Sequence, residues 1–254
     1  MLREKYGDFK IPVSNCSTFE CEEWPLDYYL DYFERLRQSG RRNNEPLYYL
    51  KDWHLALESD ESFYKWPEEF RSDWLNEYTI GTGRSDYRFV YLGPKDSVTG
   101  FHQDVLKSHS WSANICGEKL WHFWAPGRHP KQCEGGGYIT DEKILASADF
   151  IITQKDGQTL FVPSGWFHQV KNVVETLSIN HNWINRQSVN NSWDYLNKQL
   201  EIIETEFAEL KPGMECEGEW LQITQKVLRA QTSLDFDDFA NFLRFILGNC
   251  MIII

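Results

Sequence analysis

The chain lacks any long apolar run. No uninterrupted hydrophobic stretch in its 254 residues reaches the roughly 20 residues needed to span a bilayer. The nearest approach, FLRFILGNCMIII, is broken by Arg244, Gly248 and Asn249, which predicts a buried terminal helix or a truncated chain end and no membrane anchor. The opening MLREKYGDFKIPV has no apolar core of the signal-peptide kind. The six cysteines, Cys16, Cys21, Cys116, Cys133, Cys216 and Cys250, include no C-x-x-C pair. That scatter reads as reduced thiols in a cytoplasmic or nuclear protein. Basic residues are also short, 26 against 38 acidic ones, for a formal net charge of -12. Such a field disfavours nucleic acid and suits a basic protein partner. Repeats and low-complexity segments are missing too. Aromatics, by contrast, make up 15% of the chain, with 11 Trp, a composition that demands a packed core and excludes intrinsic disorder.

The texture of the sequence changes twice. Residues 1–45 read as a helical and irregular segment, with Leu26, Tyr29, Leu30, Phe33 and Leu36 at helical spacing. A strand-rich domain is expected over 46–186. It opens with PLYYLKDW and continues through YRFVYLG, TGFHQD, WSANICG, KLWHFWAPG, QTLFVPSGW, FHQVKNV and TLSINHNWI. Short strands punctuated by Gly, Pro and Asp predict a sandwich or barrel such as a jelly roll. Over 187–254 Trp193, Leu196, Leu200, Ile203, Phe207 and Leu210 recur at helical spacing, and two more helix candidates follow. The expected class is therefore mainly β with added helices.

The chemistry concentrates in the strand-rich part. In FHQD, His102 and Asp104 project to the same face of a strand, one pleat apart. Two such donors and a third from another strand would make a 2-His-1-carboxylate set, which suits a non-haem iron with open positions. The best third donor is His168 in PSGWFHQV. Taken alone, H-x-D arises often by chance. Lys119 opens the alternating run K-L-W-H-F, sharing a face with Trp121 and Phe123. A buried cation needs an anion, and the carboxylate of a small dicarboxylic acid would serve; a lysine snorkelling at a strand edge is the plainer alternative. Thr99 and Asn180, the latter sharing a face with Thr176, Ser178 and Asn182, offer hydrogen bonds to the same small ligand or are ordinary strand polar residues.

Taken together, PLYYLKDW, YLGPKDSVTGFHQDV, SHSWSANICGEKLWHFWAPG and LFVPSGWFHQVKNVVETLSINHNW resemble a jumonji-C 2-oxoglutarate oxygenase, with T-G-F-H-x-D, G-x-K-x-W and P-x-G-W-x-H in the family's order. The resemblance implies a double-stranded β-helix and oxidative decarboxylation of 2-oxoglutarate by O2 coupled to substrate hydroxylation. It makes His102, Asp104 and His168 the Fe(II) ligands. Lys119 becomes the partner of the distal carboxylate of 2-oxoglutarate, helped by Thr99, with Tyr48 and Asn180 as further co-substrate contacts. Asn180 stands where related hydroxylases carry Thr, and Ser112 where they carry Asn. Within the family the likeness is to a hydroxylase acting at C4 of a lysine in the translation termination (release) factor. Histone demethylation and a non-catalytic cupin-type binding module are the alternatives.

Other polar clusters carry less. His122 and His181 lie out of phase with Lys119 and Asn180 on their strands. Cys116, His122, His129 and Cys133 match no compact zinc spacing, and the acidic FDDF around Asp237 reads as a solvated helix start able to attract a basic substrate.

Overall fold

Between Arg88 and Trp183 the alternating pattern becomes eight strands. They are β4 (Arg88–Gly93), β5 (Val98–His102), β6 (His109–Cys116), β7 (Lys119–Trp124), β8 (Phe150–Gln154), β9 (Thr159–Val162), β10 (Phe167–Asn172) and β11 (Thr176–Trp183). The computed structural model describes residues 2–59, 63–133, 136–213 and 217–251. Earlier in the chain lie α1 (Leu2–Tyr6), β1 (Lys10–Asn15), β2 (Cys21–Pro25), α2 (Leu26–Ser39), β3 (Tyr48–Trp53), α3 (Leu55–Glu58) and α4 (Trp74–Gly81). The short α5 (Glu142–Leu145) precedes β8, and α6 (Val189–Glu206), α7 (Glu217–Thr232) and α8 (Phe236–Met251) close the chain.

Two antiparallel sheets result, with strand orders β2-β1-β3-β4-β11-β6-β9 and β5-β10-β7-β8. Successive strands such as β5 and β6 fall in different sheets while distant ones pair, the signature of a jelly roll. The expected class, mainly β with flanking helices, is the observed one. Tight turns make the switching possible. Gly117, between β6 and β7, has φ 88°, and a Cβ there would lie 1.9 Å from the Glu175 carbonyl oxygen, so only glycine fits.

The N-terminal segment differs from its expected helical and irregular character. β1 pairs with β3 through Val13–Leu50, Ser14–Tyr49 and Asn15–Tyr48, so the first residues extend the larger sheet. Pro12 and the short, mixed alternation KIPVSN hide this strand from a periodicity reading. α2 covers this end with Leu26 and Tyr29, both buried with Ile11, Val13, Leu50 and Trp53.

At the other end α4, α6, α7 and α8 bury Leu75, Tyr78, Leu196, Ile203, Leu228, Phe239, Phe242 and Ile246 together with Leu106 and Ile184 of the β domain. The terminal helix is buried along one face only, through Phe242 and Ile246, while Arg244, Leu247 and Asn249 are exposed; residues 252–254 of the terminal apolar run, and Cys216, lie outside the described residues. The solvated FDDF start is only half right. Asp238 is 2% exposed and pairs with Arg84 at 2.7 Å and Arg229 at 2.8 Å, ion pairs that a sequence reading cannot see. Among the described residues no helix is long and apolar enough to cross a membrane.

Candidate active site

His102 closes β5 and His168 stands opposite it on β10, with imidazole centroids 4.2 Å apart. Asp104 departs from the expected strand pleat. β5 ends at His102, and Asp104 opens a 3-10 turn over Val105–Lys107, because the chain must here leave one sheet and cross to the other. The carboxylate nevertheless returns to the histidine pair. One donor atom from each of His102, Asp104 and His168 lies within 4.8 Å of the other two, the one such group found among the described residues. The Cys116, His122, His129 and Cys133 arrangement forms no such group.

The surroundings of these side chains suit metal ligation. His102 Nδ1 lies 2.8 Å from the Gly100 carbonyl oxygen; a ring N–H donated there leaves the Nε2 lone pair free for a metal. His168 Nδ1 faces the Trp166 carbonyl at 3.4 Å. Burial, reinforced by the neighbouring His102, pushes the His168 pKa down, which keeps this imidazole in the neutral form a metal requires. Ser110 Oγ donates to Asp104 Oδ2 at 2.8 Å and so orients the carboxylate. Two imidazoles and one carboxylate, with no fourth protein donor grouped with them, fit a metal with open coordination positions.

The histidine pair opens into a cavity of about 450 Å³, mouth included, walled by both sheets. Lys119, on β7, is 2% exposed, so the snorkelling alternative does not hold. Its Nζ donates to Ser178 Oγ at 2.6 Å and sits 5.7 Å from the centre of the Tyr91 ring. Burial pushes its pKa down to about 7, with no carboxylate contribution to oppose it. Thr99 and Asn180 both line the cavity, and Asn180 Nδ2 reaches Ser178 Oγ at 3.3 Å. The Ser112 hydroxyl, on the same wall, is buried without a protein partner. A buried cation and an orphaned hydroxyl in one cavity form an environment built for a small anionic ligand.

Tyr48 does not take part. Its ring packs on Trp24 at 4.5 Å and Tyr32 at 5.9 Å, beneath α2. Tyr49, its neighbour, lines the cavity instead, 5.9 Å from Tyr91. Successive strand residues face opposite ways, so a one-residue error in the phase of β3 exchanges the two tyrosines. Sequence reasoning also missed Tyr91, held by a hydrogen bond to Asp52, and Ser110. The alternation of Ser110 with Ser112 about Trp111 was the available signal for the latter. His181 is buried on the opposite face of β11, its ring stacked on Trp111 at 4.1 Å, as its phase predicts.

A model of the cupin-like domain matches residues 13–188. The chain belongs to the cupin-like domain family. Its similarity to individual proteins extends through the C-terminal helices. It is 37% identical to the 2-oxoglutarate and iron-dependent oxygenase JMJD4 of Gallus gallus, over 98% of this chain and 62% of that protein. The protein of the same name from Homo sapiens is 36% identical, over 96% of this chain and 63% of its own length. The arginine-specific demethylase JMJ20 of Arabidopsis thaliana is 34% identical, over 98% of this chain and 60% of its own length. The chain thus spans somewhat under two thirds of the length of these relatives.

Proposed function

We propose that the chain is an Fe(II)- and 2-oxoglutarate-dependent oxygenase that hydroxylates a protein. The observation that carries this reading is the coexistence in one cavity of the His102, Asp104 and His168 donor group with a buried Lys119. The similarity to proteins named as 2-oxoglutarate and iron-dependent oxygenases supports the same assignment. Bound iron and 2-oxoglutarate would supply the oxidising chemistry that places one atom of O2 in a C–H bond of the substrate. The chain's own residues would do the rest. His102, Asp104 and His168 would hold the metal. Lys119, held by Ser178, would receive the distal carboxylate of 2-oxoglutarate in the cavity. Thr99, Asn180, Tyr49 and Ser112, which line the cavity, would supply hydrogen bonds to the co-substrate, and Trp121 packs its ring beside His168.

The finer reading is hydroxylation at C4 of a lysine in the translation termination (release) factor, in the cytoplasm. It rests on the resemblance of the motifs and accords with a net charge of -12, which favours encounter with a basic segment. A second reading, oxidation of an N-methyl group, is favoured by the 34% identity to an arginine-specific demethylase. Intact mass spectrometry of purified release factor decides between them. With this protein, Fe(II), 2-oxoglutarate and O2, we expect a gain of one oxygen atom on a lysine, abolished in His102→Ala. Loss of a methyl group from a methylated substrate, with no gain on release factor, would replace the first reading by the second. Failure to consume 2-oxoglutarate by folded, iron-supplied protein would overturn both.

A further inference from the structure

The loop that carries Asp104 is held in a backbone conformation that its residues resist. Leu106 has φ 54° and Lys107 φ 46°, two consecutive non-glycine residues in the left-handed region, where a side chain is disfavoured and a branched apolar one most unusual. Such a turn persists only if its surroundings over-determine it. Leu106 is 1% exposed, and its side chain lies in the cluster formed by Leu196 of α6, Leu228 of α7 and Phe239 and Phe242 of α8. The turn packs directly on α6. A second tie runs through hydrogen bonds: Asn191 Nδ2 of α6 donates to Ser164 Oγ at 2.9 Å, and Ser164 Oγ donates to the Lys107 carbonyl. Ser108 Oγ accepts from Asn182 Nδ2 at 3.2 Å. Within the turn, the Lys107 N–H closes on the Asp104 carbonyl at 3.1 Å.

We infer that the C-terminal helical layer sets the position of the Asp104 carboxylate through this strained turn, with Leu106 as the anchoring residue and Asn191 as the auxiliary tie. Leu106 is thus a positioning residue: it touches neither metal nor co-substrate and acts only by fixing where the chain re-enters the site. His102 and His168 depend on no such device, because cross-strand pairing of β5 with β10 already holds them. The third ligand, lying beyond the end of its strand, has no ladder to hold its backbone, which takes its position from the helices, while Ser110 orients the carboxylate itself. A partner or second domain that shifted α6 would thereby act on the metal site. The inference rests on the proposed metal reading.

The test is Co(II) titration of the full chain, followed by visible absorption and calorimetry, beside thermal melts. Wild type is expected to bind one Co(II) with a spectrum lost in His168→Ala. Leu106→Gly relieves the backbone strain but removes the anchor; it is expected to weaken Co(II) binding about tenfold or more and to change the spectrum. Leu106→Met, which keeps an apolar anchor, restores both. Leu26→Ala, in the separate α2 cluster away from the turn, is expected to lower the melting temperature while leaving Co(II) affinity and spectrum alone. If Leu106→Gly does not fold, Asn191→Ala decides, with an expected weakening of about threefold. Wild-type affinity and spectrum in Leu106→Gly, or in Asn191→Ala where it is the deciding variant, would overturn the inference, and so would equal weakening in Leu26→Ala. Absence of Co(II) binding by wild type, or binding indifferent to His168→Ala, would overturn the metal reading itself.

Discussion

At the scale of single residues, Lys119 has the most exposed consequences. Its ammonium is buried against a serine and an aromatic ring without a carboxylate, and its pKa falls to about 7 from an ordinary value near 10.4. An anionic ligand in the cavity stabilises the charged form, so above pH 7 binding of 2-oxoglutarate takes up a proton. We expect affinity to be steady with respect to this group below pH 7 and to fall by up to about tenfold per unit as pH rises beyond it. Calorimetry in buffers of different ionisation enthalpy measures the proton uptake directly. Lys119→Met is expected to cost about 2–5 kcal/mol of binding and to abolish the linked uptake; an unchanged pH profile in that variant would reject the role. The face that Lys119 shares with Trp121 and Phe123 was legible from the alternating run K-L-W-H-F; its burial came only with the fold. The choice between Tyr48 and Tyr49 was not, because it depends on the phase of one strand, and β3 is buried on both sides of Tyr49 and Leu50, which blurs the alternation that would reveal it.

At the scale of elements, strand pairing places two of the three metal donors and helix packing the third. The same logic governs α4. Its N-cap Asp73 accepts from the Asn76 N–H at 3.0 Å and from the Asn76 amide at 2.6 Å, and Asn76 also reaches the Asn182 carbonyl at 3.0 Å at the end of β11. Asp73 is 1% exposed, and burial raises its pKa to about 7. Because the folded value lies above the unfolded one, its contribution to stability is complete below about pH 4 and is lost as pH rises through 7. Asp73→Asn keeps the capping acceptor and is expected to remove this part of the pH dependence. Asp73→Ala removes the cap and is expected to cost about 1–2 kcal/mol; denaturant melts at pH 5 and pH 8 distinguish the two. The helix and the cap signal were both local. That the cap would be sealed beneath β11, and so acquire a shifted titration, followed only from the fold. β8 was missed for a related reason: FIIT is an apolar run without alternation, and its Phe150, Ile151 and Ile152 are all exposed at the sheet edge, contrary to the pattern of a half-buried strand.

At the scale of the whole molecule, the jelly roll stands between two apolar layers, the α2 cluster at one end and the α4, α6, α7 and α8 cluster at the other. A metal held by His102 on β5, His168 on β10 and Asp104 before the following turn would link the smaller sheet to the turn that packs on the helical layer, and it would bind only the folded chain. Occupancy should therefore raise global stability. At a free metal concentration about 100 times Kd the gain is about 2.7 kcal/mol, visible as an upward shift of the melting temperature that a chelator reverses. No shift is expected in His102→Ala, and an equal shift there would place the stabilising ion elsewhere.

The sequence by itself determined the class of fold, because strand period and turn chemistry are local, and it singled out His102, Asp104, His168 and Lys119 through motifs that resemble the jumonji-C family, leaving the burial of that lysine open. Only the tertiary structure decided that Tyr49 and not Tyr48 lines the cavity, that β1 and β2 extend the larger sheet, and that Asp104 leaves its strand for a turn anchored in the helices. Each of these depends on which distant segment lies opposite. That is settled by the packing of whole layers, and the contacts responsible join residues as far apart as Leu106 and Phe242.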